Sequence, residues 1–142
     1  MKRTAEAHWE GTLKEGKGNL TTDSQILSKT NYSFKTRFEG GEQGTNPEEL
    51  LAAAHAGCFT MAISLALTEK GLNPTSLDTK ATVSMDDKAI TGVHLSIVGD
   101  VPGIEAEEFE EIAKKAEQNC LMSKALRIAI SSDAKLVISK VA

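Results

Sequence analysis

The sequence predicts an α+β fold in which one long buried central helix packs on antiparallel β-sheet. Residues 47–70 lack the alternation of a strand and are apolar on nearly every side between Leu50 and Leu67, a pattern typical of a helix buried all round. Segments of alternating polar and apolar residues precede and follow this helix. A length of 142 residues suits a single domain, residues 1–142, because a second domain would have too little sequence for its own core.

The segments before the helix predict strands joined by turns. Residues 3–10 alternate and indicate a strand, and the three glycines of residues 11–18 indicate a hairpin turn. Residues 19–27 and 31–38 are predicted to form two further strands. The polar, glycine-rich residues 39–46 are predicted to be a loop.

The long helix has clear start and stop signals. Asn46 is placed to cap it, Pro47 suits its first turn, and Gly71 follows its last apolar turn. In a domain this small, a helix that is apolar on all sides needs a partner chain to cover it. The pattern therefore predicts that a partner chain helps to cover this helix.

The second half of the chain predicts two helices and three strands. Residues 76–86 and 91–101 alternate and are predicted to pair across a short turn. Residues 105–119 indicate an amphipathic helix, followed by a further helical turn at residues 121–126. Residues 128–138 are predicted to form the last strand.

Composition argues against several kinds of partner. The net charge is −4 and aromatic residues make up 4% of the chain, so we expect no nucleic-acid surface. No segment reaches the roughly 18 consecutive apolar residues of a membrane span, and no apolar run follows the charged N-terminus as in a signal peptide. We therefore expect a cytoplasmic protein that binds neither nucleic acid nor membranes.

Two cysteines, Cys58 and Cys120, are the residues most suited to redox chemistry. A reducing cytoplasm disfavours a permanent disulfide but allows a transient catalytic one. Cys58 lies inside the apolar helix, where a small buried hydrophobic residue is the alternative interpretation. Gly57 beside it costs helix stability and predicts a close approach to the backbone. Cys120 follows the second helix, where thiols are often accessible.

A thiol among apolar side chains is normally inert, so Cys58 needs a nearby cation to attack as a thiolate. Arg37 is the candidate, because it precedes the loop into the long helix and its guanidinium can hold a thiolate and a carboxylate together. Glu48 is the natural carboxylate to orient it. The alternatives are a solvated charge for Arg37 and compensation of the helix dipole for Glu48.

His55 lies three residues before Cys58, on the adjacent helical turn. It is either a base for the thiol, a packed or surface histidine, or one ligand of a metal site with Cys58, Cys120 and His94. The cysteines form no CxxC pair, so zinc is the weaker alternative. We expect no metal and no bound cofactor, and the sequence has no glycine-rich phosphate loop.

The run RFEGGEQGTNPEELLAAAHAGCF at residues 37–59 resembles the signature of the osmotically inducible protein C (OsmC) family, which is related to the organic hydroperoxide resistance (Ohr) proteins. Shorter similarities are AHWEG near the start, GKG in the hairpin, VPGI before the second helix, and a serine three residues after Cys120. The position of Arg37 just before the GTNPEE run is more similar to the OsmC branch. The family's second cysteine is commonly followed by proline, where this chain has Leu121.

The resemblance implies an OsmC-like fold of intertwined homodimers and a thiol-dependent peroxidase that reduces organic hydroperoxides to alcohols. It implies that Cys58 attacks the peroxide and that Cys120 resolves the sulfenic acid through an intramolecular disulfide. It also assigns Arg37 and Glu48 to the active site. A dithiol electron donor would then reduce the disulfide. The alternative function is a non-catalytic, stress-related protein that binds an apolar ligand at the dimer interface.

Helix geometry adds one expectation about this site. Glu48 and Cys58 lie ten positions apart, which is ~15 Å along a straight helix. One Arg37 side chain would not easily reach both. We therefore expect Glu48 of one chain to serve Cys58 of its partner, unless the helix kinks at Gly57.

Overall fold

The computed structural model describes residues 1–139 and divides into two compact units, Met1–Leu50 and a second that begins at Leu51. The single domain expected from the length stays a prediction. In the first unit, β1 (Ala5–Glu10), β2 (Lys17–Thr22) and β3 (Thr30–Tyr32) form a three-stranded antiparallel sheet in that order. The glycine-rich hairpin predicted between the first two strands is confirmed.

Gly18 lets two aromatic rings meet across this sheet. It is paired with Trp9 on one side and Tyr32 on the other. A Cβ at Gly18 would lie 2.5 Å from atoms of both rings, so any larger residue would push them away. The rings pack edge to face with centroids 5.4 Å apart.

The strand predicted over residues 31–38 is wrong beyond Tyr32. A short helix, α1 (Phe34–Phe38), takes its place. Ser33 starts it with a capping box, in which its Oγ accepts from the Thr36 N–H at 3.2 Å and Thr36 Oγ1 accepts from the Ser33 N–H at 2.7 Å. The apolar residues of this segment alternate as in a strand, but the Ser-x-x-Thr cap decides the backbone conformation.

The long helix α2 (Pro47–Glu69) is confirmed, together with its predicted ends. The side-chain oxygen of Asn46 accepts a hydrogen bond from the Glu49 N–H at 2.7 Å. At the other end, Gly71 adopts a φ of 75°, and the Leu72 N–H bonds the Leu67 carbonyl at 2.9 Å.

The second unit contains a mixed sheet covered by helices. β4 (Ser76–Met85) and β5 (Ile90–Asp100) pair antiparallel as predicted. From β5 the chain continues through α3 (Ala106–Asn119) and α4 (Leu121–Ala125) into β6 (Ala129–Val137).

The last strand departs from the antiparallel sheet that the sequence predicts. β6 pairs parallel to β5, next to it in the order β4-β5-β6. A helical crossover returns the chain to the same end of the sheet, so the strands that it joins run parallel.

One face of α2 belongs to the core of the second unit, and another is exposed. Phe59, Ile63 and Leu67 are fully buried, whereas Met61 is 75% exposed and Leu65 is 60% exposed. The burial on all sides that the sequence predicts is therefore not complete within one chain. By length and composition alone α2 could cross a membrane, with a mean hydropathy of 1.8, but core helices meet the same criterion.

Candidate functional site

Arg37 and Glu48 form a bidentate ion pair in the first unit. Arg37 Nε donates to both carboxylate oxygens, at 3.0 and 3.2 Å, and Nη2 donates to Oε1 at 2.6 Å. The capped helix α1 carries the arginine, and the first turn of α2 carries the glutamate. The predicted partnership of these two residues is present, although Arg37 lies on a helix and not at the end of a strand.

In this pair the carboxylate is buried and the guanidinium is half-exposed. The Glu48 side chain is 8% exposed and that of Arg37 is 40% exposed. Burial alone would raise the pKa of Glu48, but the hydrogen bonds from Arg37 and from the backbone, with the guanidinium charge, hold that pKa below its ordinary value. Glu48 is therefore a carboxylate that fixes the position of a cation.

An aromatic cleft of about 330 Å³ lies beside this cation in the first unit. The Arg37 Cζ lies 5.1 Å from the centroid of the Phe38 ring, and the Phe34 and Phe38 rings are 4.9 Å apart. The cleft thus offers an apolar surface next to a positive charge. Its lining residues are Trp9, Leu13, Tyr32, Ser33, Phe34, Arg37 and Phe38.

Cys58 is a half-buried free thiol on α2, packed against the core of the second unit. A Cβ added at the neighbouring Gly57 would meet nothing within 4 Å. The close approach predicted at this glycine is therefore not made by any of the described residues 1–139. Phe59 points into the core and is fully buried, so it offers no surface to a ligand.

Cys120 is a buried free thiol at the junction of α3 and α4, with 3% of the residue exposed. The accessibility expected at a helix end is wrong here, because the chain continues directly into α4. Its Sγ lies 3.1 Å from Ser123 Oγ and accepts a hydrogen bond from the Ser123 N–H at 3.4 Å. Leu121, which stands where the family commonly has proline, is exposed.

His55 is fully buried, and its ring reaches Ser123 instead of Cys58. Its Nε2 lies 2.8 Å from Ser123 Oγ, while its Nδ1 is buried without a hydrogen-bond partner among the described residues. Burial lowers the pKa of His55, so the ring is neutral near pH 7. His55, Ser123 and Cys120 therefore form one hydrogen-bonded chain inside the second unit.

The metal alternative finds no support in the described part of the chain. Residues 1–139 contain no group of three His, Cys, Asp or Glu side chains arranged to hold an ion. His94 bonds Ser131 through Nδ1 and Asp133 through Nε2, both at 2.6 Å. Both ring nitrogens of His94, one of the metal ligands considered from the sequence, therefore already make hydrogen bonds.

The four predicted site residues thus fall into two groups. Arg37 and Glu48 are joined directly, and the two cysteines share the core cluster of the second unit. In the sequence, Ser123 stands out only as a family similarity, and its contact with both Cys120 and His55 is not predicted. The signal for that contact was a serine three residues after a cysteine at a helix start. No pattern in the sequence predicts the aromatic cleft, because the cleft depends on helix α1, which the sequence does not predict.

The fold and the side chains together define an α+β protein with two free cysteines and an arginine that is ion-paired with a buried glutamate. The chain belongs to the OsmC-like protein family, whose model matches residues 40–135. It is 49% identical over 138 residues to peroxiredoxin OsmC of Escherichia coli (strain K12), covering 94% of this chain and 96% of that protein. It is 29% identical over 112 residues to organic hydroperoxide resistance protein OhrB of Bacillus subtilis, covering 78% and 82% of the two chains.

Solved structures confirm the OsmC-like fold. An OsmC-like protein of unknown function from Vibrio cholerae aligns with a TM-score of 0.73 at 16% identity, over 94% of this chain and 99% of that one. The crystal structure of OhrB from Bacillus subtilis aligns with a TM-score of 0.62 at 24% identity, over 94% and 98% of the two chains. At these identities the alignments establish the fold alone.

Proposed function

We propose that this protein is a thiol-dependent peroxidase that reduces organic hydroperoxides to alcohols. The observation that carries the proposal is the bidentate Arg37–Glu48 pair, in a chain that also holds two free thiols. The names of its relatives support a redox function in peroxide detoxification. The substrate class and the roles of the residues are our inference.

In the first step, the Cys58 thiolate attacks one oxygen of the peroxide. The O–O bond breaks, Cys58 becomes a sulfenic acid, and the second oxygen leaves as an alkoxide that is protonated to the alcohol. Arg37 stabilises the thiolate and the charge on the departing oxygen, as a fixed cation does at an oxyanion. Glu48 holds the guanidinium in the required orientation.

In the second step, Cys120 attacks the Cys58 sulfur and releases water, which leaves an intramolecular disulfide. A dithiol electron donor then reduces this disulfide by exchange and restores both thiols. The cycle is complete with thiols alone. The donor must itself be kept reduced, as it would be in a reducing cytoplasm.

The aromatic cleft supports an organic substrate. Its rings lie against Arg37, so an alkyl or aryl group bound there would place its peroxide near the cation. Each buried methylene of a ligand contributes ~0.8 kcal/mol. Hydrogen peroxide has no group that could use this surface.

The exposed face of α2 supports a homodimer. Met61 and Leu65 are largely exposed on it, and the position of Gly57 leaves open space beside the backbone. A second copy of α2 would cover these residues and bury apolar surface on both chains. In such a dimer, the start of one helix can approach the middle of the other.

A peroxide-consumption assay with a dithiol donor tests the proposal. We expect faster turnover of cumene hydroperoxide than of hydrogen peroxide. The alternative, a binding protein for an apolar ligand, predicts no turnover and slow alkylation of Cys58 near neutral pH. Absence of catalysis by fully reduced protein, together with slow alkylation, would favour that alternative.

A further inference from the structure

The Cys120 thiol is almost completely shielded from bulk water. The residue is 3% exposed, and the described contacts of its sulfur with polar atoms are both to Ser123. A thiol must lose its proton to act as a nucleophile. Resolution of a sulfenic acid by Cys120 therefore requires an internal acceptor for that proton.

The hydrogen-bonded chain has two states that differ by one proton transfer. In the thiol state, Cys120 Sγ–H donates to Ser123 Oγ, and the Ser123 hydroxyl donates to His55 Nε2. In the thiolate state, His55 Nε2–H donates to Ser123 Oγ, and the Ser123 hydroxyl donates to the sulfur. Separations of 3.1 and 2.8 Å suit both directions.

We propose that Ser123 and His55 form a proton relay that activates Cys120 as the resolving nucleophile. Ser123 is the catalytic residue, because it touches the reacting sulfur. His55 is a positioning residue that acts through Ser123. The inference rests on the proposed peroxidase function and assigns to the resolution step two residues beyond the four placed in the active site.

The Cys120 sulfur attacks the Cys58 sulfur, the S–S bond forms, and the S–O bond of the sulfenic acid breaks. The Cys120 proton passes to Ser123 Oγ while the Ser123 proton passes to His55 Nε2. His55 then releases a proton that ends on the departing hydroxide, which leaves as water. Cys120 is oxidised and Cys58 is reduced from the sulfenic to the disulfide state.

Two features favour a relay over a purely structural contact. The Ser123 N–H also donates to the Cys120 sulfur, so a thiolate there would accept hydrogen bonds from both the N–H and the hydroxyl of Ser123. Burial keeps His55 neutral, so its ring can accept a proton, and the same burial disfavours keeping it. A histidine that only filled space would not need its nitrogen within 2.8 Å of the hydroxyl that touches the thiol.

Rapid-quench single turnover separates the two chemical steps. Reduced protein is mixed with one equivalent of cumene hydroperoxide, and Cys58 thiol, sulfenic acid trapped by dimedone, and disulfide are followed by mass spectrometry. The variants are Ser123→Ala, Ser123→Thr, His55→Gln and the double variant Ser123→Ala/His55→Gln. His94→Gln is the matched control, because His94 also bonds a serine but lies on the sheet.

In Ser123→Ala and His55→Gln, we expect the rate at which the Cys58 thiol is lost to stay within about twofold of wild type. The rate of disulfide formation should fall by about 100-fold, which is the lower part of the range for acid–base catalysis. Ser123→Thr should restore most of the rate, because it keeps the hydroxyl. The double variant should be no slower than the slower single variant, because the relay acts as one unit. His94→Gln should match wild type.

A second arm distinguishes failure of the relay from failure of the peroxidase proposal. Diamide forms an adduct on Cys58 without peroxide, and Cys120 resolves that adduct to the same disulfide. If peroxide does not oxidise Cys58, the peroxidase proposal fails, and the diamide arm still measures the relay. Wild-type rates of disulfide formation in both Ser123→Ala and His55→Gln would overturn the relay, as would equal slowing of both steps.

Discussion

The guanidinium of Arg37 donates three hydrogen bonds to the carboxylate of Glu48, at 2.6, 3.0 and 3.2 Å. The bonds use Nε and Nη2, so the planar group is held along one edge. A point charge such as a lysine ammonium cannot be fixed in this way. The pair therefore fixes the orientation of the guanidinium plane as well as placing a positive charge at this position.

Arg37 should control the first chemical step. We expect Arg37→Ala to slow oxidation of Cys58 by organic peroxide about 100- to 1,000-fold, the loss typical of removing a donor that stabilises a developing oxyanion. Arg37→Lys should recover only part of the rate, since lysine keeps the charge without the bidentate geometry. Stopped-flow oxidation measures the rate, and the pH dependence of Cys58 alkylation reports on thiolate formation.

Lys35→Ala is the matched control, because it removes an exposed cation from the same short helix. Its oxidation rate should equal that of wild type. If Arg37→Ala leaves both the rate and the alkylation profile unchanged, Arg37 is only a surface charge.

Glu48 should add an acid-sensitive component to the stability of the fold. Because Arg37 and the backbone hold its folded pKa below the ordinary value, ionised Glu48 stabilises the folded state above its unfolded pKa. That contribution is lost as the pH falls through the lower, folded pKa. Glu48→Gln should be less stable than wild type at pH 7, and the difference should shrink on acidification.

Urea unfolding at several pH values between 7 and acid measures this difference. Comparison with Glu49→Gln, an exposed acid one position along the helix, isolates the effect of the Arg37 pair. A wild-type minus Glu48→Gln difference that stayed constant with pH would show that the carboxylate charge does not stabilise the fold.

The sequence was sufficient to predict the elements whose signals are local and long. The capped helix α2 is confirmed, because it rests on a long apolar run with residues that suit its ends. The pairing of β4 with β5 is confirmed, because both segments alternate over about ten residues on either side of a short turn. The short helix α1 was missed because its apolar residues also fit a strand, and one capping box decided between the two. The parallel pairing of β6 depends on a crossover that no local pattern encodes.

In the candidate site, too, contacts between residues far apart in the sequence could not be predicted. Arg37 and Glu48 could be paired from the sequence because a resemblance and complementary charge both pointed to them. The contact of His55 with Ser123 joins residues 68 positions apart, and no periodicity predicts it. Their positions on adjacent helical turns predict His55 beside Cys58, whereas the His55 ring bonds the Ser123 hydroxyl on another element.

The two cysteines should have separable roles. Cys58→Ser should lower turnover by at least roughly 1,000-fold, because a serine hydroxyl is not ionised near neutral pH and cannot attack the peroxide. Cys120→Ser should consume one equivalent of peroxide and then stall with Cys58 as sulfenic acid, or consume a second equivalent where Cys58 is oxidised on to sulfinic acid. Peroxide consumption with a dithiol, followed by mass spectrometry, measures both. Continued turnover by Cys58→Ser would refute the assignment of the nucleophile.

The aromatic cleft should determine substrate preference. Phe38→Ala and Leu13→Ala should raise KM for cumene hydroperoxide several-fold and leave the reaction with hydrogen peroxide unchanged, since a lost methylene contact is worth ~0.8 kcal/mol or about fourfold. Ile26→Ala is the control, because Ile26 is an exposed apolar residue of the same unit outside the cleft. Equal effects on both peroxides would show that the cleft does not bind the organic group.

The last prediction concerns the sharing of one active site between two chains. Glu48 and Cys58 are ten residues apart on the same helix, which separates them by ~15 Å along its axis and by ~80° around it. Two α2 helices that cross antiparallel would bring the first turn of one near the middle of the other. The exposed Met61 and Leu65 would then be covered by the partner.

Mixing two inactive variants tests this arrangement. Glu48→Ala and Cys58→Ser are unfolded and refolded together, and mixed dimers are verified by native mass spectrometry. If sites are shared, each mixed dimer combines Glu48 of the Cys58→Ser chain with Cys58 of the Glu48→Ala chain in one intact site. Random pairing makes half of the dimers mixed, so activity should recover to about a quarter of wild type. If sites lie within single chains, every site keeps one lesion, and verified mixed dimers would show no recovery.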